Sequence, residues 1–354
     1  MKLPLSVCMI VRNEAAQIAD ALRSVLPNAA EVIVVDTGSE DRTREIAREL
    51  GAQVTEFAWC EDFAAARNFA LQQATQPFIL TLDADEQLLP ESRAALAAYC
   101  RSDGRVAGQV KIRDVRPEAG GTEGAVTWSE VTRLFPNEAG YRYVGRIHEQ
   151  LRCHGAPPDT VSTGVILQHT GYAAETVAHK DKIARNLRLL EQQLADDPYD
   201  TYALYQLGRT YSVAKRHAEA ADCFQRALDE LSERSGEFPP YLPTLLVSYG
   251  YALLALREFP TLYQVTGIGT ELYPDYTDLY FLYGLALIQA QAVERLAEIP
   301  EVFHHCLNLG EPDPARYESV AGVGSFKAHH NLGVYYELIG DAERAASHYQ
   351  ASKQ

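Results

Sequence analysis

In the first eighty residues, short apolar runs alternate with stretches in which apolar positions recur at helical spacing. Residues 5–11 (LSVCMIV), 31–35, 53–57 and 78–82 are short and rich in β-branched side chains, and read as strands. Residues 14–26, 41–50 and 63–74 read as the helices between them, and Gly51 closes the second as a C-terminal glycine. Such a β-α-β-α-β-α-β series predicts a parallel sheet with helices on both faces. From residue 106 the pattern turns β-rich (106–115, 126–135, 161–169), with the glycine-rich connection EAGGTEG, and predicts that strands of mixed direction extend the sheet. After about residue 173 the alternation gives way to continuous helix. Ile183, Leu187, Leu190 and Leu194 mark a bridging helix over 178–194.

A 34-residue period follows. In LYQLGRTYSVAKRHAEAADCFQRAL, Leu204, Leu207, Gly208, Tyr211, Ala220, Phe224 and Ala227 stand at the offsets of a tetratricopeptide repeat. Gly250 and Gly284 lie one period apart, and Pro274 takes the place of a repeat's terminal proline. HHNLGVYYELIGDAERAASHYQAS carries Leu332, Gly333, Tyr336, Ala345 and Tyr349 at matching offsets. Small residues there let paired helices approach and aromatics fill the gaps. An insertion over 310–324 breaks the period. The domains expected are 1–172 (α/β), 173–197 (bridging helix) and 198–354 (all-α repeats).

Composition narrows the function. A chain of 354 residues can build two cores, and its formal charge of -16 argues against nucleic acid or an anionic membrane as the main partner. The N-terminus does not read as a signal peptide, and no run reaches the ~18–20 apolar residues of a membrane span. The six cysteines are scattered without a CxxC pair and read as reduced thiols of a cytoplasmic protein.

The chemistry starts at PFILTLDADEQLLPE, residues 77–91. A buried strand ends in Asp83-Ala84-Asp85-Glu86, and these acids repel one another unless a cation sits among them. Oxygen ligands suit a hard divalent ion, Mg²⁺ or Mn²⁺, and strand carboxyl ends are where open α/β sheets bind ligands. A solvated turn ahead of a helix near Pro90 is the plain alternative. Asp36 closes the second strand, where a carboxylate can accept from a nucleobase N–H; a helix N-cap is its alternative. Arg67 opens a helix and could clamp a diphosphate bidentately, or pair with Asp62.

Four features in order carry a resemblance: a strand ending Arg12-Asn13-Glu14, the VVDTGSEDRT segment, the ARNFAL helix start and the DAD triplet. Over residues 3–172 the chain resembles family 2 glycosyltransferases of the GT-A nucleotide-diphospho-sugar transferase fold, in the branch fused to tetratricopeptide repeats that includes bacteriocin S-glycosyltransferases. The resemblance implies an inverting hexosyltransferase that uses a UDP-sugar and a divalent cation. It places Asn13, Glu14, Asp36, Gly38, Arg67, Asp83 and Ala84 around the nucleotide-sugar, and Asp85, Asp83 and His169 on the metal. It gives the base role to Glu149 or to its neighbour His148, because His-Glu stands where the family has Glu-Asp. A loop salt bridge from Glu149 to Arg146 or Arg152, and a structural His169, are the alternatives. Arg133 and Trp128 are expected on the acceptor side. The acceptor is a peptide, protein or small molecule, with the repeats completing its cleft or docking it on their concave face. A second copy of the chain stands as a further partner.

Two rival readings remain. A sugar-1-phosphate nucleotidyltransferase needs a glycine-rich loop after the first strand, and CMIVRNEAAQIADAL has no glycine. A non-catalytic repeat scaffold with a degenerate nucleotide-sugar fold has no need of the metal triplet.

Overall fold

The structure, a computed structural model, describes residues 2–102, 106–117, 123–169, 175–234, 238–291, 293–314 and 316–353, without the side chains of 115–117, 123–127 and 175–181. Most of the EAGGTEG connection and the expected 172/173 boundary lie outside these residues. Two compact units emerge, Met1–Arg185 and Asn186–Gln354.

The first unit runs β1 (Leu3–Val11), α1 (Ile18–Val25), β2 (Ala29–Asp36), α2 (Thr43–Glu49), β3 (Gln53–Glu56), α3 (Phe63–Gln73), β4 (Phe78–Thr81), β5 (Glu86–Leu88), α4 (Arg93–Tyr99), β6 (Ala107–Pro117), β7 (Glu123–Pro136), β8 (Tyr141–Val144), β9 (Gln150–Cys153) and β10 (Thr160–His169). Eight strands make one sheet in the order β3-β2-β1-β4-β7-β6-β10-β5. The four predicted strands are parallel neighbours, while β7 and β5 run antiparallel to theirs, so the mixed extension is as expected. Alternation along β1 decides the layers. Leu5, Val7, Met9 and Val11 enter one core with Val32, Val34 and Leu80, and Cys8 enters the other with Ile33, Val35, Ile79 and Phe135. Two buried faces explain why these strands read as apolar runs.

Two elements escaped the sequence reading. β5 follows the acidic triplet at once, and β8 pairs with β9 in a separate hairpin. The stretch over 14–17 is a turn, so α1 is shorter than expected; its buried Ile18, Ala21, Leu22 and Val25 keep the spacing of one helical face.

Helix α5 (Glu175–Asp196) contains the division between the units, inside the expected bridge. Beyond it stand four helix pairs: α6 (Thr201–Val213) with α7 (His217–Glu233), α8 (Leu242–Leu256) with α9 (Phe259–Leu272), α10 (Thr277–Ala290) with α11 (Glu298–Leu309), and α12 (Phe326–Leu338) with α13 (Ala342–Ala351). Three of the four repeat glycines sit where the partner helix's ring would strike a side chain, and Gly250 sits against Leu282 of α10. A Cβ on Gly208 would lie 2.6 Å from the Phe224 ring, one on Gly284 2.6 Å from Phe303, and one on Gly333 2.7 Å from Tyr349. The second unit is therefore a tetratricopeptide-type array. Its 310–324 insertion folds back on α10: Asp278 accepts from Ser319 Oγ and Val320 N, and Tyr317 stacks on Tyr276.

Candidate active site

Parallel pairing of β1 with β2 and β4 brings three loops to one edge of the sheet. The first two are stitched together. Asn13, in left-handed backbone, donates its N–H to Ser39 Oγ (2.9 Å) and accepts from Glu40 N (2.8 Å). Glu14 N donates to Thr43 Oγ1 and Ala15 N to Asp41 Oδ2. Asp36 Oδ1 accepts from Gly38 N and Ser39 N, a turn that needs φ of +107° at Gly38. Asp36 thus caps its own turn; helix α2 starts later, at Thr43. Its Oδ2 is buried and has no hydrogen-bond partner among the described residues. The nearest cation is Arg44, whose Nε lies 4.0 Å from Oδ1. A buried carboxylate oxygen without a partner is costly unless a ligand donates to it.

The third loop is the acidic triplet. Asp83 Oδ1 accepts from Arg67 Nη2 (2.9 Å) and Oδ2 from Arg133 Nη2 (2.7 Å), while its N–H donates to Glu86 Oε2. Burial would push the Asp83 carboxyl up, but Arg133 and Arg67 outweigh it and hold it well below the usual range. Glu86 is the opposite case: burial raises it, with Asp83 adding to the rise, and Arg133 only partly compensates. Ala84 between the acids is buried. Arg67 does not pair with Asp62, which instead caps α3 by accepting from Ala65 N. Arg67 is buried, pairs with both Asp83 and Glu149, and lies 5.4 Å over the Tyr143 ring. Arg133, expected on the acceptor side, pairs with Asp83 and Glu86. Its side chain is 16% exposed, whereas Trp128 is 54% exposed.

The β8–β9 hairpin delivers Glu149. Asn68 on α3 clamps Tyr143 by both backbone groups (2.8 and 2.9 Å), and Phe63 N donates to Arg146 O in the hairpin turn. Glu149 Oε1 accepts from Arg67 Nε, not from Arg146 or Arg152 as in the alternative reading. His148 beside it holds a φ of +52°.

His169 ends β10. Its Nε2 is 3.0 Å from Asp85 Oδ2 and its Nδ1 is 3.3 Å from Asp114 Oδ1. The hydrogen bond to Asp85 leads in raising its pKa to about 9; burial opposes this, and the charges of Asp85 and Asp114 add to it. Glu14 is raised by burial and by the Asp85 charge. Among the described residues no three His, Cys, Asp or Glu side chains are gathered as a ready metal cage. The donor set nonetheless fits a divalent ion at Asp85 and His169, where carboxylate oxygens and an imidazole meet. Asp83 fits less well, because both its oxygens already serve arginines. The sequence reading overlooked Asp114, Tyr143 and Asn68. Arg133 was placed on the acceptor side, and nothing in its strand, EGAVTWSEVTRLFP, marked it as a partner of the acids.

The family described as Glycosyl transferase family 2 matches residues 6–145. A TPR repeat-containing protein of Synechococcus elongatus is 36% identical over 211 residues, covering 57% of this chain and 51% of its own length. The SPbeta prophage-derived glycosyltransferase SunS of Bacillus subtilis is 25% identical over 287 residues, covering 80% of this chain and 67% of SunS. An uncharacterized glycosyltransferase of Rickettsia bellii is 37% identical over 139 residues, covering 37% of this chain and 45% of its own length. The chain thus spans about half the length of the first of these relatives. Among solved structures MamA matches half of this chain, and 90% of its own, at 16% identity and a TM-score of 0.40, too loose a likeness to build on.

Proposed function

We propose that this chain, whose residues 6–145 form a glycosyl transferase family 2 domain followed by tetratricopeptide repeats, moves a sugar from a UDP-sugar to an acceptor with inversion and with the help of a divalent cation. The observation that carries the donor side is Asp36: a buried, unpartnered carboxylate oxygen at a strand end, suited to a uracil N–H. Glu14 stands by the nucleoside, on a loop that Asn13 and Gly38 keep in shape. Asp83, oriented by Arg67 and Arg133, retains lone pairs for ribose hydroxyls, and small Ala84 leaves room beside it. Asp85 and His169 would hold Mn²⁺ or Mg²⁺. When bound, such an ion neutralises charge on the leaving diphosphate.

In the transfer, the acceptor's oxygen or sulfur bonds to the anomeric carbon as the bond to the diphosphate breaks, and the acceptor proton passes to a base. Glu149 serves through Oε2, the oxygen Arg67 does not take, with His148 as the neighbouring candidate. The repeats dock a peptide or protein acceptor. The six free cysteines fit a reducing compartment such as the cytoplasm, and among the described residues no helix is long and apolar enough to cross a membrane.

One observation favours a second reading: the candidate base lies in an ion pair with Arg67, as it would in a scaffold that binds nucleotide-sugar without turnover. A panel of nucleotide sugars with Mn²⁺ or Mg²⁺, scored for free nucleoside diphosphate, separates the two. Release of UDP supports transfer chemistry; tight UDP-sugar binding without UDP release supports the scaffold.

A further inference from the structure

We propose that Asp114 is a positioning residue for His169: it accepts from Nδ1 and so turns Nε2 toward Asp85 as the nitrogen that takes a divalent cation. This rests on the metal-dependent reading above and adds a residue that no motif marked. The parallel register of β6 and β10 sets Asp114 directly beside His169, and the next strand, β5, sets Glu86 on the other side. The ring is therefore approached by carboxylates at both nitrogens, Asp85 Oδ2 at 3.0 Å from Nε2 and Asp114 Oδ1 at 3.3 Å from Nδ1.

The two carboxylates differ in what holds them. Asp114 lies within a strand whose backbone is laddered to β7 and β10, so its side chain starts from a fixed point. Asp85 lies in the turn between β4 and β5, beside Asp83 at the nucleotide edge. An imidazole binds a cation through one nitrogen and needs its other N–H accepted. A carboxylate in that rear position fixes ring orientation and tautomer and makes the ligating nitrogen more basic. Asp114 is placed for the rear and Asp85 for the front. One residue earlier in the same register, Arg113 Nη1 donates to Gln168 Oε1 (3.0 Å). The alignment of β6 with β10 thus has a side-chain support of its own, independent of Asp114.

The test is a titration of the full chain with Mn²⁺ alone, followed by electron paramagnetic resonance, with an apo thermal melt of each variant. Asp114→Ala is expected to weaken Mn²⁺ by about 10–100-fold. Asp114→Asn, which keeps an acceptor oxygen without the charge, is expected between it and wild type, and it carries the test should the alanine variant unfold. Arg113→Ala should bind within about twofold of wild type, as register alone does not set the ligand. Two results overturn the inference. One is near-wild-type Mn²⁺ binding in both Asp114 variants while His169→Ala loses it. The other is an equal loss in Asp114→Ala and Arg113→Ala, which would mean that strand alignment and not the dyad is at work. Should Asp85→Ala and His169→Ala also titrate like wild type, the metal-dependent reading itself falls.

Discussion

Asp36 uses one oxygen to close its own turn and keeps the other buried with no hydrogen-bond partner among the described residues. Asp36→Asn puts an amide N–H₂ in competition for the position that should accept from a base. UDP affinity is expected to fall by at least about tenfold, roughly 1.4 kcal/mol, with little change in the apo melt. Calorimetric titration with UDP checks this, and unchanged affinity would remove Asp36 from the nucleoside site. Glu149 is open to an equally direct comparison. A hydroxyl acceptor needs its proton removed as the sugar bond forms, and a positioned base contributes roughly 10²–10⁴-fold. Glu149→Gln should cut transfer by that order while leaving UDP-sugar binding nearly intact. For a thiol acceptor, pKa ~8.5, the loss should shrink as pH rises toward about 9, because solvent then removes the proton. If Glu149→Gln is mild and His148→Ala severe, the base is His148.

At the level of elements, the glycine of each repeat helix is a spacing device. Gly284→Ala drives a methyl into the Phe303 ring in the buried core of the α10–α11 pair. Overpacking of this kind costs about 1–3 kcal/mol. A denaturant melt of the full chain should show that loss in the helical signal, and an unshifted melt would mean that α10 and α11 can separate freely. These glycines were legible because a 34-residue period repeats, and so were Asp36, Asp83, Asp85 and His169, because each ends an apolar run. What the chain did not advertise is long-range. Arg133 meets Asp83 fifty residues away, and Asp114 meets His169 across 55. Local patterning contains no record of which strand lies beside which. The β8–β9 hairpin was hidden for a different reason: YRYVGRIHEQLRC holds two four-residue strands, too short for alternation to stand out.

Over the whole molecule, every residue proposed for the donor lies in Met1–Arg185, and the repeats, Asn186–Gln354, hold their own cores. Arg67 and Arg133 at this edge are already paired with acids, so in the proposed function a divalent cation would take the charge of the diphosphate. That is the central claim, and one assay addresses it: UDP release from the UDP-sugar that the donor panel selects, by the full chain with Mn²⁺, with excess EDTA, and in Asp85→Ala shown folded by its melt. The account predicts release that EDTA stops, that Mn²⁺ restores, and that Asp85→Ala lacks at any Mn²⁺ concentration within reach. Undiminished release in EDTA, or in folded Asp85→Ala, would contradict it.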